Sequence, residues 1–127
     1  LQTLALRSAE RVSFSTTAEV RESRLGAGSS TPMNSVTVQD ISTTGALLIH
    51  STPLGEVKDL LSMYMPMHVA NGEEKFNTVA IIRNVRERKT AEGQVEYLHG
   101  VEFQMAGRSD VIMLHAFVYE HIAKANE

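Results

Sequence analysis

The chain has 127 residues, of which 43% are hydrophobic and 21% charged, with a formal net charge of −3 and no cysteine. This is the size of one domain around one core, and no apolar run approaches the ~20 residues needed to span a bilayer. The absence of cysteine excludes a disulfide framework and thiolate metal sites, and the negative balance argues against a general nucleic-acid binder, which needs a basic face to displace counterions.

The chain opens at Leu1 without a methionine, and we read it as part of a longer protein with a further domain expected before it. No basic start followed by an apolar stretch marks a signal segment, so a cytoplasmic location is expected. A short segment holding Arg7 and Arg11 precedes the first strand, which runs over Val12 to Arg21: Val12, Phe14, Ala18 and Val20 fall on alternate positions, with a polar break at Thr16. Residues Ser23 to Asn34 cluster Gly, Ser, Pro and Asn and read as a loop. Val36 and Val38 alternate into Asp40, and an apolar run from Ala46 to Ile49 follows Gly45, so two short strands meet at the Asp40–Gly45 turn.

A fourth strand is expected over Leu60 to Val69, where Met63, Met65 and Met67 share one face and read as core. A fifth is expected over Phe76 to Arg88, with Val79, Ile81 and Val85 inward, and the Asn71-Gly72 pair signals the hairpin between them. The sixth runs from Val95 to Met105 after a Glu92-Gly93 turn. From Ser109, read as the N-cap beside Asp110, the residues Val111, Leu114, Val118 and Ile122 recur at helical spacing up to Lys124, predicting a terminal helix that covers one barrel opening or edge. No internal repeat interrupts this order.

Two short motifs stand in sequence: Arg7-x-x-x-Arg11, and Asp40-x-Ser42-x-x-Gly45. With eight arginines in the chain the first arises by chance in about one such sequence in two, whereas the second is about a one-in-fifty event. A late stretch, Gly100-Val101-Glu102-Phe103, precedes the helix. In this order the three resemble the signature of the PilZ domain family. The resemblance runs from about Arg7 to the helix and implies a six-stranded antiparallel split β-barrel with a C-terminal α-helix, residues 12–127, preceded by a ligand-binding arm, residues 1–11. It also implies a receptor for cyclic di-GMP that signals to an adjacent domain or partner protein controlling motility, exopolysaccharide or biofilm formation, and that carries no catalysis of its own.

The chemistry of these residues agrees. A guanidinium fork matches the adjacent O6 and N7 acceptors of guanine, or a phosphate, so Arg7 and Arg11 serve either. The opposite edge of guanine offers N1–H and N2–H donors, for which the carboxylate of Asp40 is a paired acceptor. Ser42 offers a hydroxyl to the ligand or to the turn, and Gly45 permits positive φ and close backbone approach. By resemblance Arg7 and Arg11 belong to the arm, and Asp40, Ser42 and Gly45 to a rigid rim. The arm departs from the family pattern at Ser8 and Leu6, where relatives often carry cations; this favours weaker binding and one ligand molecule per domain.

Other features have plainer readings. Singly, each arginine of the arm is a solvated charge, and Asp40 and Ser42 are turn formers. Arg83, Arg86, Arg88 and Lys89 read as a solvated hairpin edge ahead of a second anion-contacting surface. The five histidines are dispersed without zinc spacing, so no metal and no cofactor are assigned. A protein-interaction barrel that binds no nucleotide is the main alternative. A single-strand nucleic-acid barrel lacks stacking aromatics, no nucleophile, base and orienting group form a catalytic set, and a homodimer stays open.

Overall fold

The structure is a computed structural model that describes residues 12–22, 33–69, 72–105 and 107–125. Six strands, β1 (Val12–Glu22), β2 (Asn34–Ile41), β3 (Gly45–His50), β4 (Leu60–Val69), β5 (Gly72–Lys89) and β6 (Val95–Met105), precede one helix, α1 (Arg108–Ala125). The strands are antiparallel and close in the order β1-β2-β3-β6-β5-β4. Closure comes from β1 pairing with β4, with Val20 opposite Met63, so among the described strands none is left as an unpaired edge.

Strand alternation puts one face of every strand inside. Ala18, Val20, Val36, Val38, Leu48, Phe76, Ala80, Ile82 and Val101 are buried together with Met63, Met65 and Met67. The methionines therefore pack the core as their spacing indicates. Phe76 meets Phe103 edge-to-face at 5.3 Å between ring centroids, an arrangement favoured by the ring quadrupoles.

On β5 the inward face is the opposite of the expected one. Phe76, Thr78, Ala80 and Ile82 are buried, and Val79 and Ile81 lie on the other face, half-exposed. The run Val79-Ala80-Ile81-Ile82 is apolar on both faces, so alternation cannot choose between them; the bulk of Phe76, paired with Phe103, decides the parity. A register shift between Ile82 and Asn84 then restores Val85 to the core side.

The helix also differs in detail. Leu114, Phe117 and Val118 enter the core cluster while Val111 remains 41% exposed. The stripe is centred on Leu114, Phe117 and Val118, which leaves Val111 on its flank in the first turn. The helix packs on β1, β4 and β5 and so caps the barrel. Its cap is Gly107, whose carbonyl accepts the Val111 N–H at 2.9 Å, so Ser109 lies inside the helix and not at the N-cap. Asp110 keeps its place in the first turn, near the positive end of the dipole.

The expected turns are present where described. Gly93 adopts φ 87° between β5 and β6, and Val69 pairs with Gly72, so Gly72 opens β5; Asn71 lies outside the described residues. Inside the barrel, His99 is fully buried and accepts the Leu54 N–H on Nε2 at 3.0 Å. Its proton is then on Nδ1, which donates to the Leu48 carbonyl at 3.3 Å. Burial holds its pKa below the ordinary 6.5, in keeping with a neutral ring.

Candidate functional site

The Asp40–Gly45 segment forms the corner where β2 turns into β3. Ser42 is 1% exposed, and its hydroxyl accepts the backbone N–H groups of Thr44 at 3.1 Å and Gly45 at 3.2 Å. Its own N–H donates to the Gly45 carbonyl at 2.8 Å, and its Oγ lies 3.1 Å from Thr44 Oγ1. Both lone pairs of this hydroxyl are thus used by the turn. In this geometry Ser42 shapes the corner.

Gly45 is required for a tertiary reason. A Cβ there would lie 2.1 Å from the Val101 carbonyl oxygen of β6, a contact no side chain tolerates. Positive φ is not the cause: among the described glycines it occurs at Gly93. The corner is tied to β6 again by the Phe103 N–H, which donates to the Thr44 carbonyl at 2.8 Å. The Gly100–Phe103 stretch and the Asp40–Gly45 motif are therefore two sides of one joint.

Asp40 is placed by an irregularity. Val36 and Val38 point inward, and strict alternation would send Asp40 after them. Val38 pairs with Leu48 and Asp40 with Leu47, leaving Gln39 as an extra residue on β2. Past this bulge the inward position passes to Ile41, which is 0% exposed, while Asp40 is half-buried on the outer face. A carboxylate in the apolar core would cost several kcal/mol without a partner, and the bulge avoids that by re-aiming the side chain. A second shift on the other side, between Ser13 and Thr16 of β1, accommodates the same distortion.

The structure thus brings Asp40, Ser42 and Gly45 together within one six-residue corner, with the carboxylate outward and the other two holding the backbone. Arg7 and Arg11 lie outside the described residues. Thr44 was missed in the sequence, since it occupies a variable motif position and its carbonyl gains a role only through contact with β6. On the other wall, a cleft of about 550 Å³ is lined by Glu19, Arg21, Tyr64, Asn77 and Val79 on β1, β4 and β5 and by Met33 just before β2; it contains none of the motif residues. Among the described residues no group of three or more His, Asp or Glu side chains is placed to hold a metal ion, and no helix is long and apolar enough to cross a membrane.

Comparison with known proteins gives a consistent picture. The PilZ domain model matches residues 5–120. No curated protein matches the sequence. Among solved structures, MrkH of K. pneumonia superposes with a TM-score of 0.71 at 20% identity over 95% of this chain and 51% of its own. The inhibitor of motility MotI/DgrA of Bacillus subtilis does so with 0.64 at 12% identity, over 95% and 53%. The PilZ domain of Escherichia coli YcgR, solved with c-di-GMP, gives 0.67 at 12% identity, over 92% of both chains. The chain therefore spans about half the length of MrkH and MotI; at these identities the likeness speaks for the fold.

Proposed function

The chain belongs to the PilZ domain family, and from that premise we propose that it is a receptor domain for cyclic di-GMP that signals to an adjacent domain or partner protein. The observation that carries the reading is the outward, half-buried carboxylate of Asp40, aimed by the bulge at Gln39 and set beside a corner whose backbone is held by Ser42. Such a group accepts the N1–H and N2–H donors of guanine, and it is held by strands, so little ordering cost falls on this half of the site. The YcgR domain solved with c-di-GMP supports the choice of ligand.

In this reading Arg7 and Arg11 supply the complementary half: guanidinium groups for phosphate or for the O6/N7 edge, carried on an arm that closes over the ligand. Ser42 and Gly45 act as positioning residues. The output is conformational, a change in the arm and its surroundings that a partner in a cytoplasmic motility, exopolysaccharide or biofilm pathway reads. The domain performs no catalysis.

Isothermal titration of the chain with cyclic di-GMP, beside GTP and with Arg11→Ala and Asp40→Ala variants, tests this. Saturable binding by the wild type, selective over GTP and weakened about tenfold or more in each variant, is expected from the loss of a charge-assisted or bidentate contact worth about 1–3 kcal/mol. No binding by the wild type at high micromolar ligand would transfer the assignment to a nucleotide-independent interaction barrel. The exposed helix side chains Ile112 and Tyr119, at 62% and 55%, are what such a module would offer.

A further inference from the structure

We propose that the cleft on the side of the barrel away from the Asp40–Gly45 corner is a separate binding site for a free α-amino acid with an apolar or aromatic side chain, in which Arg21 takes the carboxylate and Glu19 the ammonium group. In the closed ring β4 stands opposite β3, with β1 and β5 on either side of it, so the outer faces of these three strands look away from the corner. Two rows of residues cross them. Glu19 pairs with Tyr64 and Tyr64 with Asn77; Arg21 pairs with Ser62 and Ser62 with Val79. Ser62 is the smallest of the six and lies in the middle of its row, and its lack of bulk leaves the hollow of about 550 Å³, which Met33 closes beside Arg21. This is the size of a small-molecule site.

The charges single this cleft out. Glu19 and Arg21 stand two residues apart on one face of β1, about 7 Å along the strand, yet neither forms an ion pair with the other or with any described residue. Opposite charges on this barrel do close on one another elsewhere: Arg83 Nε donates to Glu102 at 2.6 Å and Arg88 Nε to Glu96 at 2.8 Å. Arg21 instead gives its Nε–H to the Met33 thioether at 3.0 Å, a weak acceptor, and its terminal nitrogens have no partner among the described residues. Lys75 also borders Glu19, but its Nζ lies 5.7 Å from the centroid of the Tyr64 ring and leaves the carboxylate unpaired. The side chains of Ser62 and Asn77 likewise have no hydrogen-bond partner among the described residues.

A cation and an anion held open across one small hollow ask for a ligand that carries both charges close together. An ammonium and a carboxylate on a single carbon bridge Glu19 and Arg21 with charge-assisted hydrogen bonds of about 2.8 Å at each end, and the guanidinium fork takes the carboxylate through two parallel bonds. A ligand with one charge alone leaves the other protein group desolvated and unpaired. A nucleotide sets its phosphates against Glu19, and a peptide strand carries its terminal charges far apart, so neither matches. The remaining lining selects the side chain: Tyr64 offers a ring to stack on, and Val79 and Met33 offer apolar surface.

Titration of the ¹⁵N-labelled chain with each of the protein L-amino acids at millimolar concentration, followed by amide chemical shifts, tests the site. An apolar or aromatic amino acid is expected to bind saturably and to move the amides of Arg21, Ser62 and Asn77 while those of the Asp40–Gly45 corner stay in place. For the best binder, the analogue without the carboxylate and the analogue without the ammonium group should each bind about tenfold more weakly or worse, and Glu19→Gln and Arg21→Gln should cause losses of the same size. Ser62→Leu fills the hollow and should abolish binding, with thermal melts to show that each variant folds. Cyclic di-GMP titrations should not change in these three variants, so the outcome for this cleft is read separately from that for the receptor reading. If no amino acid shifts these amides, or if the analogues with one charge bind as well as the zwitterion, the amino-acid site is refuted.

Discussion

Two turns in this barrel are built from the same four-residue pattern, a hydroxyl residue followed three positions later by glycine: Ser42-Thr43-Thr44-Gly45 at the β2–β3 corner and Thr90-Ala91-Glu92-Gly93 at the β5–β6 hairpin. In each the hydroxyl oxygen accepts a backbone N–H, from Thr44 and Gly45 at the corner and from Gln94 at 3.2 Å in the hairpin. The glycines, however, are there for opposite reasons. Gly93 has open space around it and a φ of 87°, while Gly45 lacks positive φ and would clash with the Val101 carbonyl. One turn is shaped by its own backbone, the other by its neighbour. The tertiary turn is the one that carries Asp40, which suits a site that must hold a carboxylate in place before ligand arrives.

The comparison can be broken most directly at the glycines. Gly45→Ala sets a methyl group against backbone that cannot move aside, and should destabilise the fold by about 3 kcal/mol or more in urea titration. Gly93→Ala meets nothing and carries only the cost of a left-handed alanine, about 1–2 kcal/mol. Equal losses would show that β6 yields at Val101 and that the corner is no more constrained than the hairpin. The hydroxyls give a smaller contrast: Ser42→Ala leaves the buried Gly45 N–H and the part-buried Thr44 N–H without their acceptor and should cost about 1–3 kcal/mol, whereas Thr90→Ala at the water-exposed tip should cost about 0.5 kcal/mol.

The smallest effect is one of pH. His99, on β6 next to the corner joint, is held below its ordinary pKa of 6.5, chiefly by burial. Between that lowered value and 6.5 the unfolded chain binds a proton that the folded chain does not. Stability is therefore full above pH 6.5, falls as the pH drops through this window by at most about 1.4 kcal/mol per unit, and levels off below the folded-state value. Amide exchange of Leu54, whose N–H donates to His99 Nε2, should quicken in step with that loss while the Thr90–Gln94 turn does not respond. A His99→Gln variant should flatten the dependence.

Most of the architecture was legible in the chain itself, because strands with one buried face declare themselves by period two and turns by Gly, Asn and Ser. Met63, Met65 and Met67 alternate because they line a core, and Gly93 sits in the β5–β6 turn because few other residues adopt its φ. Legibility failed where local pattern was symmetric or broken. Val79-Ala80-Ile81-Ile82 is apolar on both faces, so its parity depended on Phe76 meeting Phe103. The helix stripe was read one flank off because Val111 is as apolar as Phe117.

The candidate site shows the same division. The sequence by itself determined that Asp40, Ser42 and Gly45 stand in one short turn and that six strands and a terminal helix surround a single core. Only the tertiary structure decided that Asp40 faces outward, since that depends on a bulge at Gln39 which contradicts the alternation of Val36 and Val38. It likewise decided that Gly45 answers to Val101, and that Arg21 has no carboxylate partner among the described residues while Arg83 and Arg88 are paired. The physical reason is common to all three: period and propensity act along the chain, whereas which face is buried, where a backbone must be approached and which charge finds a partner are settled across strands, by residues far apart in sequence.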